Sequence, residues 1–130
     1  MILDEIGNYL VAQGFGTLGT DLFLSQLPHG PNILIGVLES PGGEPEFVLG
    51  ESLPKWENAR IQVLNRNPSW TAARDTAESI SLSLSLVVNQ SLSGTYYLAI
   101  TPTRPPSQLQ WDATRGVVFS STFECKKAVS

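Results

Sequence analysis

The sequence predicts an α+β fold: a single two-layer domain over residues 1–130, with two helices packed on one face of a mixed, mostly antiparallel sheet. Three patterns carry that expectation. Ile2, Leu3, Ile6 and Leu10 recur at steps of one, three and four, which aligns them on one helical face. Trp70, Ala73, Ala77, Ile80 and Leu84 repeat at three, four, three and four and define a second helix. Between and after them, the runs Asn32–Ser40, Asn58–Asn67, Thr95–Pro102 and Gly116–Lys126 read as strands, rich in branched and aromatic residues or alternating in character.

The first helix carries Asp4, Glu5 and Asn8 away from its apolar stripe, and Gly14 is placed to end it in a left-handed turn. Gly14, Gly16 and Gly19 form a loop before a first strand, Asp21–Leu27, and Pro28-His29-Gly30-Pro31 makes a turn. In the next strand Ile33, Ile35 and Val37 lie on one face, with Leu34 and Leu38 on the other. Apolar residues on both faces predict a central strand, covered by helices on one side and by a neighbouring subunit on the other. Pro41–Glu57 is the longest irregular stretch, with space for a short strand at Phe47–Leu49. In Asn58–Asn67, Ile61 and Val63 point one way and Arg60, Gln62 and Arg66 the other.

Asn67-Pro68-Ser69-Trp70 opens the second helix, with Asn67 or Ser69 as N-cap and Pro68 in the first turn. From Ser79 the text SISLSLSLVV also alternates like a strand. Helix is favoured through about Leu86, because no turn signal separates Glu78 from Ser79. On that reading Val87 and Val88 continue the buried stripe, and Leu82 and Leu86 widen it. Val88–Gly94 then reads as a loop, and Thr103–Arg115 as a second long loop holding Pro105, Pro106 and Trp111. The last strand places Val117, Phe119, Ser121, Phe123 and Cys125 on one face. The expected core brings Ile6, Leu10, Ala73, Ala77 and Ile80 onto Ile35, Ile61, Val63 and Phe119.

Hydrophobic residues make up 42% of the chain, while charged residues reach only 15%, against roughly 25% in average domains. Ser, Thr, Asn and Gln fill part of that gap; a surface covered by other subunits would fill the rest. The net charge of −4 and eight scattered Lys and Arg supply no basic patch for sequence-specific binding of nucleic acid. Lys126 and Lys127 are adjacent, but near the C-terminus they read as solvating charge. Asp4 and Glu5 stand where a signal peptide needs positive charge, which predicts a protein used without export, and no apolar run is long enough to span a membrane.

His29, the single histidine, and Cys125, the single cysteine, provide neither a nucleophile–base pair nor a metal-ligand pair, so no catalytic, cofactor or metal residue is assigned. Gly14-Phe15-Gly16-Thr17-Leu18-Gly19 spells G-x-G-x-x-G, but a helix precedes it and a strand follows, the reverse of a dinucleotide site. The acidic pairs Asp4/Glu5 and Glu44/Glu46 read as solvated charge. Phe47, Trp56 and Trp111 are the candidate assembly residues, being bulky aromatics in Pro- and Gly-rich segments that cannot easily bury them.

The opening helix, the triple-glycine loop and the strand that contains Phe23 and closes at Pro28 resemble the start of the phage minor capsid or tail terminator family. Arg60-Ile61-Gln62-Val63, Asn67-Pro68-Ser69-Trp70 and Ala73-Arg74-Asp75-x-Ala77-Glu78 resemble its middle, in the same order. Gly94–Ile100 and Val118–Glu124 resemble its last hairpin. The serine-rich Leu82–Leu86 run and the Pro105-Pro106 pair depart from it. The resemblance implies a virion structural protein that forms a ring, sixfold in such families, which ends tail-tube polymerisation and joins the tail to the head. Its implied partners are further copies of itself, the major tail (tube) protein and the head–tail connector or stopper protein. The implied place is the head-proximal end of the tail, assembled in the host cytoplasm, with DNA passing through the ring. Two rivals are a head-side stopper and, from another class, a small cytoplasmic α+β enzyme or ligand-binding domain using a cleft beside Pro41–Glu57.

Overall fold

The computed structural model describes residues 2–25, 33–40, 46–47, 54–103, 105–112 and 116–128. Two long strands, β4 (Pro54–Asn67) and β8 (Gly116–Ala128), form its spine, pairing antiparallel from Trp56 opposite Ala128 to Asn67 opposite Val117. Two short strands lie end to end along each side of that pair. Beside β4 run β2 (Leu34–Ser40), opposite Arg60–Arg66, and β3 (Glu46–Phe47), opposite Pro54–Trp56. Beside β8 run β6 (Thr95–Pro102), opposite Phe123–Lys127, and β7 (Ser107–Asp112), opposite Gly116–Ser120. Pro105 and Pro106 have no N–H to give a ladder, which accounts for the break between β6 and β7. At the margins β1 (Leu22–Leu24) joins β2 in parallel, and β5 (Val88–Leu92) joins β6. Every strand pair except β1–β2 is antiparallel, giving an eight-stranded sheet in the order β1-β2-β4-β8-β6-β5, with β3 on β4 and β7 on β8.

Helices α1 (Ile2–Ala12) and α2 (Trp70–Ser85) cover one face of this sheet, α1 towards β1 and β2 and α2 across β4, β6 and β8. Ile2, Leu3, Ile6 and Leu10 join Ile35, Val37, Ile61, Val63, Ile80, Leu84, Tyr97 and Phe123 in one buried cluster. Ala73 and Ala77 form a second with Val117 and Phe119, where small side chains let α2 approach β8 closely. Every residue of the core read from the sequence is buried. The helices also meet directly: the Tyr9 hydroxyl donates to the Ser83 carbonyl at 2.9 Å. Ser69 caps α2, its Oγ accepting from the Ala72 amide, while Asn67 Oδ1 accepts from the Ser69 amide. Pro68 therefore precedes the helix instead of entering its first turn.

Several expectations change. Val88–Gly94 is not a loop, because Ser93 and Gly94, at φ +49° and +89°, make a two-residue turn that folds β5 back on β6. Thr103–Arg115 contains β7, and β4 starts at Pro54, inside the stretch read as irregular. Leu82 and Leu86 are exposed, because the sheet meets only the Ala73–Ala77–Ile80–Leu84 side of α2; Val87 is buried as expected, while Val88, already in β5, is exposed. Trp70, at the start of that stripe, is 44% exposed. On β2, Leu34 and Ile35, on opposite faces, are both buried within one chain, whereas Leu38 is half-buried and Ile33, just before the strand, is 60% exposed. Residues 26–32, which hold the proposed Pro28–Pro31 turn and His29, lie outside the described residues.

Candidate assembly surface

The three aromatics singled out from the sequence are not brought together. Phe47 in β3 and Trp56 in β4 flank the same end of the long ladder, since Trp56 pairs with Glu46 on one side and Ala128 on the other. Trp111 in β7 pairs with Val117, at the far end. The ladder steps eleven residues from Trp56 to Asn67, which at about 3.3 Å per residue separates the two ends by about 35 Å. The side chains of all three lie outside the described residues, as does that of Glu46.

A further aromatic position emerges from the helix start. Trp70 packs edge-on against Phe119, with centroids 5.8 Å apart, and its Nε1–H donates to Gln108 Oε1 at 3.0 Å. The Arg74 guanidinium lies 5.1 Å from the Trp70 ring and pairs with Asp75 at 3.2 Å. A half-exposed Trp held in one orientation has already lost the side-chain freedom that binding would remove. The sequence reading placed Trp70 on the apolar face of the helix because its spacing matches the stripe; it is the first residue of the helix and only partly covered by the sheet. Further along α2, Leu82 and Leu86 are 67% and 69% exposed, and Val88 lies just past the helix end.

Glu5 reverses its expected place. It is 5% exposed and accepts hydrogen bonds from the Tyr97 hydroxyl at 2.7 Å and from the Thr95 hydroxyl, with Lys127 Nζ at 4.0 Å. Burial pushes its carboxyl pKa up, but the Thr95 and Tyr97 hydrogen bonds and the charges of Lys127 and the N-terminus outweigh that and hold it below the usual value. This clasp ties α1 to β6 and β8. Lys127 is buried too, so it does not simply solvate the C-terminus. Continuing the alternation Val117, Phe119, Ser121, Phe123, Cys125 by one step would have placed it on the helix-covered face.

Reactive chemistry is poorly supplied. Burial pushes the Cys125 thiol to about 12, with Lys127 lowering it and Glu124 raising it, so it stays protonated near neutral pH. Among the described residues no cluster of three or more His, Cys, Asp or Glu could hold a metal ion, and no helix is long and apolar enough to cross a membrane. The glycine-rich turn after α1 leads into β1, so no helix N-terminus faces it. A hollow of about 370 Å³ on the sheet face opposite the helices is lined by Asn58, Ala99, Thr101, Pro102, Thr103, Glu124 and Lys126, without a nucleophile–base pair.

The described residues thus form an α+β domain with a half-exposed Trp–Arg contact and a buried, protonated thiol. The family model described as bacteriophage tail terminator protein matches residues 9–128, and the chain belongs to that family. It is accordingly a structural protein of the phage virion tail. No curated protein matches it. Among solved structures, it is similar to a chain from the virion of a native gene transfer agent particle, with a TM-score of 0.53 and 15% identity, covering 85% of this chain and 81% of that one. At that identity the likeness speaks for the fold.

Proposed function

We propose that this chain, acting as one tail-terminator domain over residues 1–130, assembles into a hexameric ring that ends growth of the tail tube and joins the tail to the head connector. The match of the tail terminator family model to residues 9–128 is the observation that carries the reading. The geometry adds a reason why one small subunit can serve two neighbours. Phe47 and Trp56 stand at one end of the β4–β8 ladder and Trp111 at the other, so separate contacts with tube and connector need not compete for one patch. In this reading the protein works by contact and without catalysis, at the head-proximal end of the tail and after assembly in the host cytoplasm. DNA passes the ring without sequence-specific binding, consistent with a net charge of −4.

Loss of the gene in the phage tests this. Electron microscopy should then show tails of uncontrolled length and heads without tails, with both defects repaired by the wild-type chain. Tails of normal length, attached to heads, in the absence of the chain would overturn the proposal.

A further inference from the structure

We infer that this fold keeps its sheet edges closed to other chains, so that copies of the chain meet through side chains and not by extending the sheet. The inference rests on the ring reading for the presence of neighbouring copies, but concerns how they touch. A free strand edge offers unpaired N–H and C=O groups to any other strand, and proteins that avoid such pairing shorten, bend or cover the edge. Of the four outer strands, β3 has only two residues, with a register shift against β4 between them, and β1, β5 and β7 are treated in three further ways.

β1 has three residues, and the chain covers it with its own preceding turn. Leu18 bridges Leu22, and the Gly19 amide donates to the Leu22 carbonyl at 2.9 Å. Ser25, at φ +66°, ends the strand at once. β5 is bent near its start by Asn89 at φ +49°, opposite the point where β6 gains a residue against β8, between Tyr97 and Ala99. The Tyr96 hydroxyl donates to Asn89 Oδ1 at 2.9 Å and holds the bend. β7 gains an extra residue, Leu109, between Gln108 opposite Phe119 and Gln110 opposite Val118. An extra residue of this kind bends its strand and increases its twist. Neither β5 (VNQSL) nor β7 (SQLQWD) carries a Lys or Arg. Asp112, at the end of β7, is the single charge on either strand, so along most of both edges backbone shape does the work that charge commonly does.

Asn89 gives the test. Valine is strongly disfavoured at positive φ, so Asn89→Val should pull residue 89 into extended geometry and straighten β5, whereas Asn89→Gly keeps the bend. Light scattering after gel filtration, with hydrogen–deuterium exchange of the full-length chain over a range of concentrations, would follow both variants and the wild type. Amides of β5 and β7 in the wild type should exchange within about twofold of the same rate at every concentration. Asn89→Val should form larger species whose β5 amides slow at least tenfold on association, and Asn89→Gly should match the wild type. Tenfold slowing of β5 or β7 amides in a wild-type oligomer would overturn the inference while leaving a ring possible. A folded Asn89→Val chain that associates no more than the wild type would overturn it as well. Should Asn89→Val fail to fold, the wild-type exchange rates alone decide. A wild type that stays monomeric with fast edge amides supports closed edges, even if tail assembly speaks against the ring.

Discussion

Removing the Glu5 carboxylate should destabilise the chain far more than a surface substitution would. The Glu5–Lys127 separation is 4.0 Å, with side chains 6% and 9% exposed. At an effective dielectric constant of about 20, such a pair is worth about 4 kcal/mol before desolvation is counted, and breaking a buried pair by deleting one partner costs about 3–5 kcal/mol. Because 4.0 Å is a loose contact, the lower end applies, and Glu5→Ala should cost about 3 kcal/mol. Glu5→Gln keeps an acceptor for Tyr97 and Thr95 and should cost about half as much. In urea titrations, Glu5→Ala, Lys127→Met and the double variant should show a coupling above about 1 kcal/mol, because the two side chains share one network. The pH dependence has a definite sign. The folded carboxyl is held below its ordinary value of 4.5, so its contribution is fully present above that value and is lost as pH falls through the folded one. A Glu5→Ala cost below about 0.5 kcal/mol, the range of ordinary surface changes, would refute the clasp.

Ala77 is fully buried beside Val117 and Phe119, and Ala77→Leu should overpack that contact and cost about 1–3 kcal/mol in a denaturant titration. A Cβ on Gly116, at φ +107°, would stand 2.3 Å from the Asn67 carbonyl oxygen, so Gly116→Ala should cost more than about 2 kcal/mol, measurable as a lower Tm. His29→Ala combined with Cys125→Ala should restore infectious particles to a phage lacking this gene; a folded double variant that yields none would reopen the enzyme reading. Trp56→Asp should fold, with a far-UV circular dichroism spectrum like the wild type, and yet fail the same complementation, because an unpaired charge in a desolvated contact is costly.

The sequence was legible where one period ruled. Both helices and the alternating face of β8 follow from spacing, because each buries a regular stripe, while β2 and β6 follow from runs of apolar, branched and aromatic residues. Illegible were the features set by long-range pairing. Nothing local in Ser107–Asp112 announces that β8 supplies it with a partner. Glu5 looks solvent-facing beside Asp4 until Tyr97 and Lys127 arrive from 92 and 122 positions further along the chain. The Ser93-Gly94 turn carried a local signal that the loop reading passed over, since a two-residue turn with Gly in second place marks a hairpin. For the assembly residues, composition identified bulky aromatics, whereas their division between the two ends of one ladder required the register.

The central claim is that this chain ends tube growth as a ring. Its most direct test mixes the purified chain with polymerising tube protein of the same phage and images the products by electron microscopy. The account predicts tubes that stop growing, each bearing at one end a sixfold ring with a central hole and a mass matching six copies of the 130-residue chain. Tubes that elongate unchanged, with no added density at either end, would contradict it.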